Sequence, residues 1–234
     1  LPTSCAAFDF NLGCSGYVYG LALVKSMLES GQASKALLIT GETYTKWMHP
    51  DDFSTRAIFG DAGTATLVEA RERERAPIGP FVYGTDGRGK DNLIVPGSGA
   101  RECALDAAED RRLDHHRPRA LFMDGPEIFS FTMRVVPTAV RSLLTKAELS
   151  WDAVDWVVFH QANRFMLEHL RKQCRIPTEK FVYCLEDYGN TVSNTIPITL
   201  ADMVNDGRLR RGHRVMLVGF GVGYSWSACI LHWC

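Results

Sequence analysis

The sequence predicts an α/β protein with largely parallel sheets, and three observations carry that prediction. Short apolar strands alternate with amphipathic helices along most of the chain. The same order of segments recurs in two places. Each recurrence opens on a glycine beside a small polar residue and closes its helix on another glycine.

In chain order, residues 6–10 form a short apolar run read as a strand. Gly13-Cys14-Ser15-Gly16 opens an amphipathic run to about Ser30, Gly31 stops it, and KALLIT at 35–40 reads as a buried strand. Residues 65–69 and 80–83 predict further strands. Glycine, proline and charge dominate residues 84–120, which read as a long loop-like or lid-like excursion. A helix is expected over 127–149, a strand over Trp156–Phe159 ending at His160, and a helix over about 164–174. The remaining segments read as strands flanking one more helix.

The recurrence is an internal echo at an offset of 176 positions. It lays Gly13-Cys14-Ser15 over Gly189-Asn190-Thr191, Met27 over Met203, Leu28 over Val204 and Gly31 over Gly207. The strand KALLIT corresponds to RVMLVGF after a two-residue insertion. Duplication is the better explanation, and it predicts two similar βαβ units related by a pseudo-twofold, with Cys14 and Asn190 at equivalent helix N-termini.

Composition narrows the function. With 234 residues, 46% hydrophobic, the chain can bury a large core. A net charge of −1 argues against a dedicated nucleic-acid binder. The longest apolar stretches, such as 215–222, fall far short of the ~20 residues of a membrane span. The charge clusters at 71–75 and 109–119 mix signs, as solvated loops do. Seven cysteines, Cys5, Cys14, Cys103, Cys174, Cys184, Cys229 and Cys234, show no C-x-x-C pair. With no secretory leader pattern, a reducing, cytoplasmic compartment is expected.

Among these cysteines Cys14 is the candidate nucleophile. A thiol at a helix start feels the positive end of the helix dipole and unpaired N–H groups, which favour thiolate. The other six are read as small buried residues. His160 ends an apolar strand, and sites form at the C-terminal edges of α/β sheets. The remaining histidines read as surface or packing residues. Asn190 alone would be a turn or cap residue; set opposite Cys14 by the echo, it becomes a site residue. Gly219-Phe220-Gly221-Val222-Gly223 reads as a tight strand connection or as a bare backbone loop whose N–H groups form an oxyanion hole. Cys, His and Asn in that order fit a papain-like protease or a thioester enzyme. His160 lies 146 positions past Cys14, within the papain range, but Asn190 lies 176 past it and the local protease signature is missing.

The chain resembles β-ketoacyl-acyl carrier protein synthase III of the thiolase superfamily. The resemblance rests on DFNLGCSGYVYGL around Cys14, IFGDAGTATLVE at 58–69, MDGPEIFSF at 123–131, VVFHQAN at 157–163, YGNTVSNTIP at 188–197 and GFGVGYSWSACIL at 219–231. It implies a thiolase-like fold in which two pseudo-twofold halves stack as αβαβα layers. Residues 1–70 would be the remainder of the N-terminal half, 71–122 a connecting excursion and 123–234 the C-terminal half. It implies that Cys14 accepts an acyl group, that His160 and Asn190 complete a triad, and that the N–H groups of Cys14 and Val222 form the oxyanion hole. Phe129, Gly125 and Asn163 fall where the family lines its pantetheine tunnel and holds the thioester arm, and Phe59 on its acyl-pocket wall.

Two departures accompany the match. Val222 replaces a usual glycine, and the arginine expected before the 58–61 segment is replaced near Phe53, with Arg56 the nearby substitute. Family members carry roughly a hundred residues ahead of the cysteine, so the chain is expected to be the C-terminal two-thirds of a homodimeric synthase and to be insoluble alone.

The reaction so implied is a decarboxylative Claisen condensation of an acyl with a malonyl thioester. Coenzyme A or acyl carrier protein thioesters are the substrates, acyl carrier protein is a partner, and no cofactor, metal, nucleic acid or membrane is involved. Two alternatives compete: acyl transfer to an alcohol or amine without decarboxylation, and a non-catalytic partner subunit.

Overall fold

A computed structural model of the chain describes residues 2–72, 76–98 and 120–234. Cys103, His115, His116 and the charge cluster at 109–119 lie outside the described residues, as do parts of the cluster at 71–75 and of the excursion at 84–120.

Helix α1 (Gly16–Glu29) buries Tyr17, Val18, Leu21 and Val24, a spacing that puts one apolar stripe on one face. It ends at Gly31, whose φ of +73° closes the helix as glycine readily does. Strand β1 (Lys35–Glu42) follows, then the single turn α2 (Phe53–Arg56), capped by the Asp52 carboxylate, and β2 (Ala62–Glu69). β1 and β2 form a separate antiparallel pair, with Leu37 opposite Leu67. Strand β3 (Ile78–Thr85) and the short pair β4 (Leu93–Ile94) and β5 (Phe122–Met123) lead to α3 (Gly125–Ala147). Asp124 caps α3 by accepting from the Glu127 N–H at 3.0 Å, with Pro126 in the first turn where no N–H is needed.

The remaining elements are β6 (Trp156–Phe159), α4 (Arg164–Gln173), α5 (Thr195–Asn205), β7 (Arg214–Gly221) and β8 (Ser225–His232). The main sheet has the order β3-β8-β7-β6, and only β6 and β7 in it run parallel. The expectation of largely parallel sheets is therefore corrected. β7 and β8 are joined by a tight turn, which forces them antiparallel.

Strand geometry explains how the layers stack. Successive side chains point to opposite faces. Val215 and Leu217 of β7 and Cys229 and Leu231 of β8 join one core with α1, α5 and Leu38 of β1. Met216, Val218 and Phe220, with Ala228 and Ile230, join the other core with α3 and α4. The layers run β1–β2, then α1 with α5, then the main sheet, then α3 with α4. The described residues thus supply four of the five layers expected.

Two local expectations are also corrected. KALLIT is buried on one face only: Leu38 and Thr40 point inward, whereas Leu37 and Ile39 are exposed. Residues 6–10 are exposed and form no strand, because nothing among the described residues pairs with them. The strand expected over 80–83 is present as β3 and joins the main sheet.

Candidate active site

The two parallel strands bring their C-terminal ends to one edge. β6 ends at Phe159, and the next N–H, of His160, donates to the Val218 carbonyl at 2.8 Å. β7 runs on to Gly221, so Val222 leaves the sheet beside His160. The start of α1 packs across this edge. Ser15 Oγ lies 2.6 Å from Ser225 Oγ, and the Ser15 carbonyl accepts from Ser227 Oγ at 3.1 Å. Cys14, one residue earlier, is held against the glycines of the connection. A Cβ added at Gly221 would stand 2.7 Å from Cys14 Sγ.

The backbone N–H groups of Val222 and of Cys14 itself both reach the sulfur. Burial nevertheless pushes the thiol up to about 12, outweighing those two donors. Desolvation of the enclosed sulfur thus opposes the helix start that the sequence pointed to. The turn at 219–223 is both things the sequence allowed, a tight strand connection and a set of backbone donors.

His160 is buried, and enclosure in apolar surroundings lowers its pKa to about 3, so the ring is neutral. Phe220 meets it edge-on at 5.5 Å, and its Nδ1 lies 2.8 Å from Thr195 Oγ1. Asn190 is buried in the segment before α5. Its N–H donates to the Ile58 carbonyl at 2.8 Å, and its carbonyl accepts from the Gly60 N–H at 3.0 Å, bridging it to Phe59. Its side-chain Oδ1 accepts the Val192 N–H at 2.9 Å, so the amide NH2 is the end left to donate.

Val192 links all three candidates. Its N–H orients Asn190, its carbonyl lies beside the His160 ring, and its side chain approaches the Gly13 backbone next to Cys14. Its φ of +58° is rare for a β-branched residue. Two threads tie this kinked turn to β1. Glu42 accepts from Ser193 Oγ at 2.7 Å, and the buried Asn194 Oδ1 accepts from Thr40 Oγ1 at 2.7 Å.

The remaining candidates spread outward from this centre. Phe59 is buried and stacks on Tyr44 at 5.2 Å, close to Gly13. Gly125 begins α3 with open space where a side chain would be. Phe129, half-buried, packs with exposed Phe165 and with His169 at 5.6 Å each. Asn163 caps α4 through Oδ1, accepting the Met166 N–H at 2.8 Å. Arg56 is exposed and donates to the Pro50 carbonyl. Cys229 is buried as expected, but Cys5 and Cys234 are exposed and Cys174 and Cys184 only partly buried.

Sequence reasoning passed over Val192, Thr195 and Glu42. The rule that singled out His160, a polar residue ending an apolar strand, also points to Glu42. A positive φ at valine leaves no trace in the sequence. Among the described residues no cluster of three His, Cys, Asp or Glu side chains is placed to hold a metal, and no helix is long and apolar enough to cross a membrane.

The chain is similar to known proteins. Residues 8–87 match the family described as 3-oxoacyl-(acyl-carrier-protein) synthase III, and residues 144–233 match its C-terminal family. A β-ketoacyl-(acyl-carrier-protein) synthase III of Clostridium perfringens is 33% identical over 225 residues, which are 96% of this chain and 67% of that protein. A crystal structure of a 3-oxoacyl-(acyl-carrier-protein) synthase III superposes with a TM-score of 0.94 at 48% identity, covering all of this chain and 70% of the other. A 3-oxoacyl-(acyl-carrier protein) synthase of Burkholderia xenovorans gives 0.90 at 40% identity, covering 100% and 66%. The thiolase-like fold expected from the motifs is thereby confirmed. The chain spans about two thirds of the length of these relatives.

Proposed function

This chain belongs to the 3-oxoacyl-(acyl-carrier-protein) synthase III family, and on that premise we propose that it condenses an acyl thioester with a malonyl thioester by decarboxylative Claisen chemistry. Two observations support the assignment of roles: the backbone N–H groups of Val222 and Cys14 lie at the thiol, and Asn190 and His160 both border Val192.

In the first half-reaction Cys14 sulfur attacks the acyl carbonyl. The Val222 and Cys14 N–H groups stabilise the tetrahedral oxyanion, and the carrier thiol leaves with the proton that Cys14 gives up. A malonyl thioester then binds and loses CO2. The electron pair of the broken bond passes into an enolate whose oxygen accepts hydrogen bonds from His160 Nε2 and the Asn190 amide. The carbanion attacks the acyl-cysteine carbonyl, and Cys14 leaves as thiolate and regains a proton. The product is a β-ketoacyl thioester. Asn donates without titrating, and a His kept neutral by burial does the same across the physiological range.

Phe129, Gly125 and Asn163 would border the pantetheine arm, and Phe59 with Tyr44 the acyl chain. The donor arrives on coenzyme A or acyl carrier protein and the malonyl group on acyl carrier protein. The product serves fatty-acid or polyketide synthesis. The assembled enzyme is read as a cytoplasmic homodimer, with 1–70 and 123–234 in its two thiolase-like halves.

The test separates the half-reactions. His160→Ala or Asn190→Ala should lower malonyl decarboxylation and condensation by ~10²–10³, with Cys14 still acylated. Cys14→Ala should abolish acylation and leave some CO2 release. Intact mass reads the first, and labelled CO2 the second. Loss of acylation in Asn190→Ala with decarboxylation intact, or acyl transfer to an alcohol or amine without CO2, would replace this reading.

A further inference from the structure

His160 has two ring nitrogens, and the proposed reaction, on which this inference rests, needs a proton on only one of them. Donation to an enolate oxygen requires N–H at Nε2. The neutral ring carries a single proton, so Nδ1 must then be an acceptor. What faces Nδ1 decides the matter.

Thr195 Oγ1 does, at 2.8 Å, and the Val192 carbonyl lies beside the ring. They favour opposite tautomers. A carbonyl only accepts and so draws the proton to Nδ1. A hydroxyl can donate to Nδ1 and so leaves the proton on Nε2. The hydroxyl is also placed to donate to the Val192 carbonyl, at 3.0 Å, and its single proton serves one acceptor at a time. That carbonyl already accepts the backbone N–H of Thr195, so it is satisfied without the hydroxyl. Nothing equivalent is available to a bare Nδ1. Thr195 is fully enclosed, at 3% exposure, so water does not take the hydroxyl's place.

We propose that Thr195 is a positioning residue that donates its hydroxyl proton to His160 Nδ1, fixing the ring as the Nε2–H donor needed in the decarboxylating half-reaction. Its location follows from the kink at Val192. The three-residue turn Val192–Asn194 inserted between Asn190 and α5 sets Thr195 at the first position of the helix, under the ring. Without the hydroxyl, the Val192 carbonyl is the polar neighbour that remains, and the proton moves to Nδ1.

The experiment uses the full-length enzyme with ¹⁵N-labelled histidine, comparing the unsubstituted protein with Thr195→Val and Thr195→Ser. In the unsubstituted enzyme the His160 signals should show a protonated Nε2 and a bare Nδ1. Thr195→Val should invert that pattern. Decarboxylation should fall about tenfold to a hundredfold, by analogy with the loss when the partner that fixes the tautomer of a metal-ligating histidine is removed, with acylation of Cys14 affected far less. Thr195→Ser should restore both spectrum and rate. A proton on Nδ1 in the unsubstituted enzyme overturns the proposal, even if Thr195→Val does not fold. So does a valine variant with an unchanged tautomer, or failure of serine to rescue. If the unsubstituted enzyme neither acylates nor decarboxylates, the reaction assignment falls instead.

Discussion

The two halves of the internal echo can be compared element by element. α1–β1–β2 and α5–β7–β8 each read helix, strand, antiparallel strand, and Gly31 and Gly207 end the helices with φ of +73° and +77°. They differ at the start. α1 begins two residues after Cys14, whereas the kinked turn at Val192 stands between Asn190 and α5. They differ again in their strands: β7 is buried on both faces, β1 on one. The shared order supplies two helix starts at one sheet edge. The extra turn sets Asn190 back from the start of α5, whereas Cys14 stands at the start of α1.

Substitutions can break or sharpen that contrast. The largest expected effect compares one strand from each half. Leu217 of β7 is fully buried, and Leu217→Ala should cost about 2–5 kcal/mol in urea unfolding. Leu67 of β2 is 61% exposed, and Leu67→Ala should cost under ~0.5 kcal/mol. Equal losses would mean that the outer face of β1–β2 is covered in solution.

The next effect concerns the nucleophile. A thiol reacts as thiolate, and a raised pKa makes that form scarce at neutrality and commoner as pH rises. With the Cys14 pKa near about 12, its alkylation by iodoacetamide should climb about tenfold per pH unit from 7 to 9. Peptide mapping follows it; a rate that levels off below pH 8 would show that the helix start outweighs burial after all.

Smaller again is the effect of filling the contact between the halves. Gly221→Ala places a methyl against Cys14 Sγ, at a backbone φ of +156°. Acyl-enzyme formation should slow about tenfold and stability fall by ~1–3 kcal/mol. Unchanged acylation kinetics would show that the Val222 N–H is not held in place by this close approach.

Much of this architecture was legible because its signals are local. The stop glycines and the apolar run before His160 each depend on a few neighbouring residues. Partner choice is not local. KALLIT and RVMLVGF look alike as strings, yet only the second is enclosed on both sides, because neighbours distant in sequence decide how many faces are covered. The same limit applies at the site. Cys14, His160 and Asn190 stood out by residue type and position, whereas Thr195 gains its interest only from a ring 35 positions away. At Cys14 the helix start is visible in sequence and the enclosure opposing it is not.

The division of β7 between two cores has a consequence for the order in which the molecule loosens. Amide hydrogens exchange with solvent only when their hydrogen bonds open, and strands flanked by strands on both sides open last. β7 lies between β6 and β8, with apolar layers above and below, so its amides should exchange only with global unfolding. The β1–β2 ladder, a pair of two strands among the described residues, should exchange through smaller fluctuations. Under mild denaturant the protein would first lose the threads from Thr40 and Glu42 that hold the Asn190 turn, while the strand leading to Val222 stays closed.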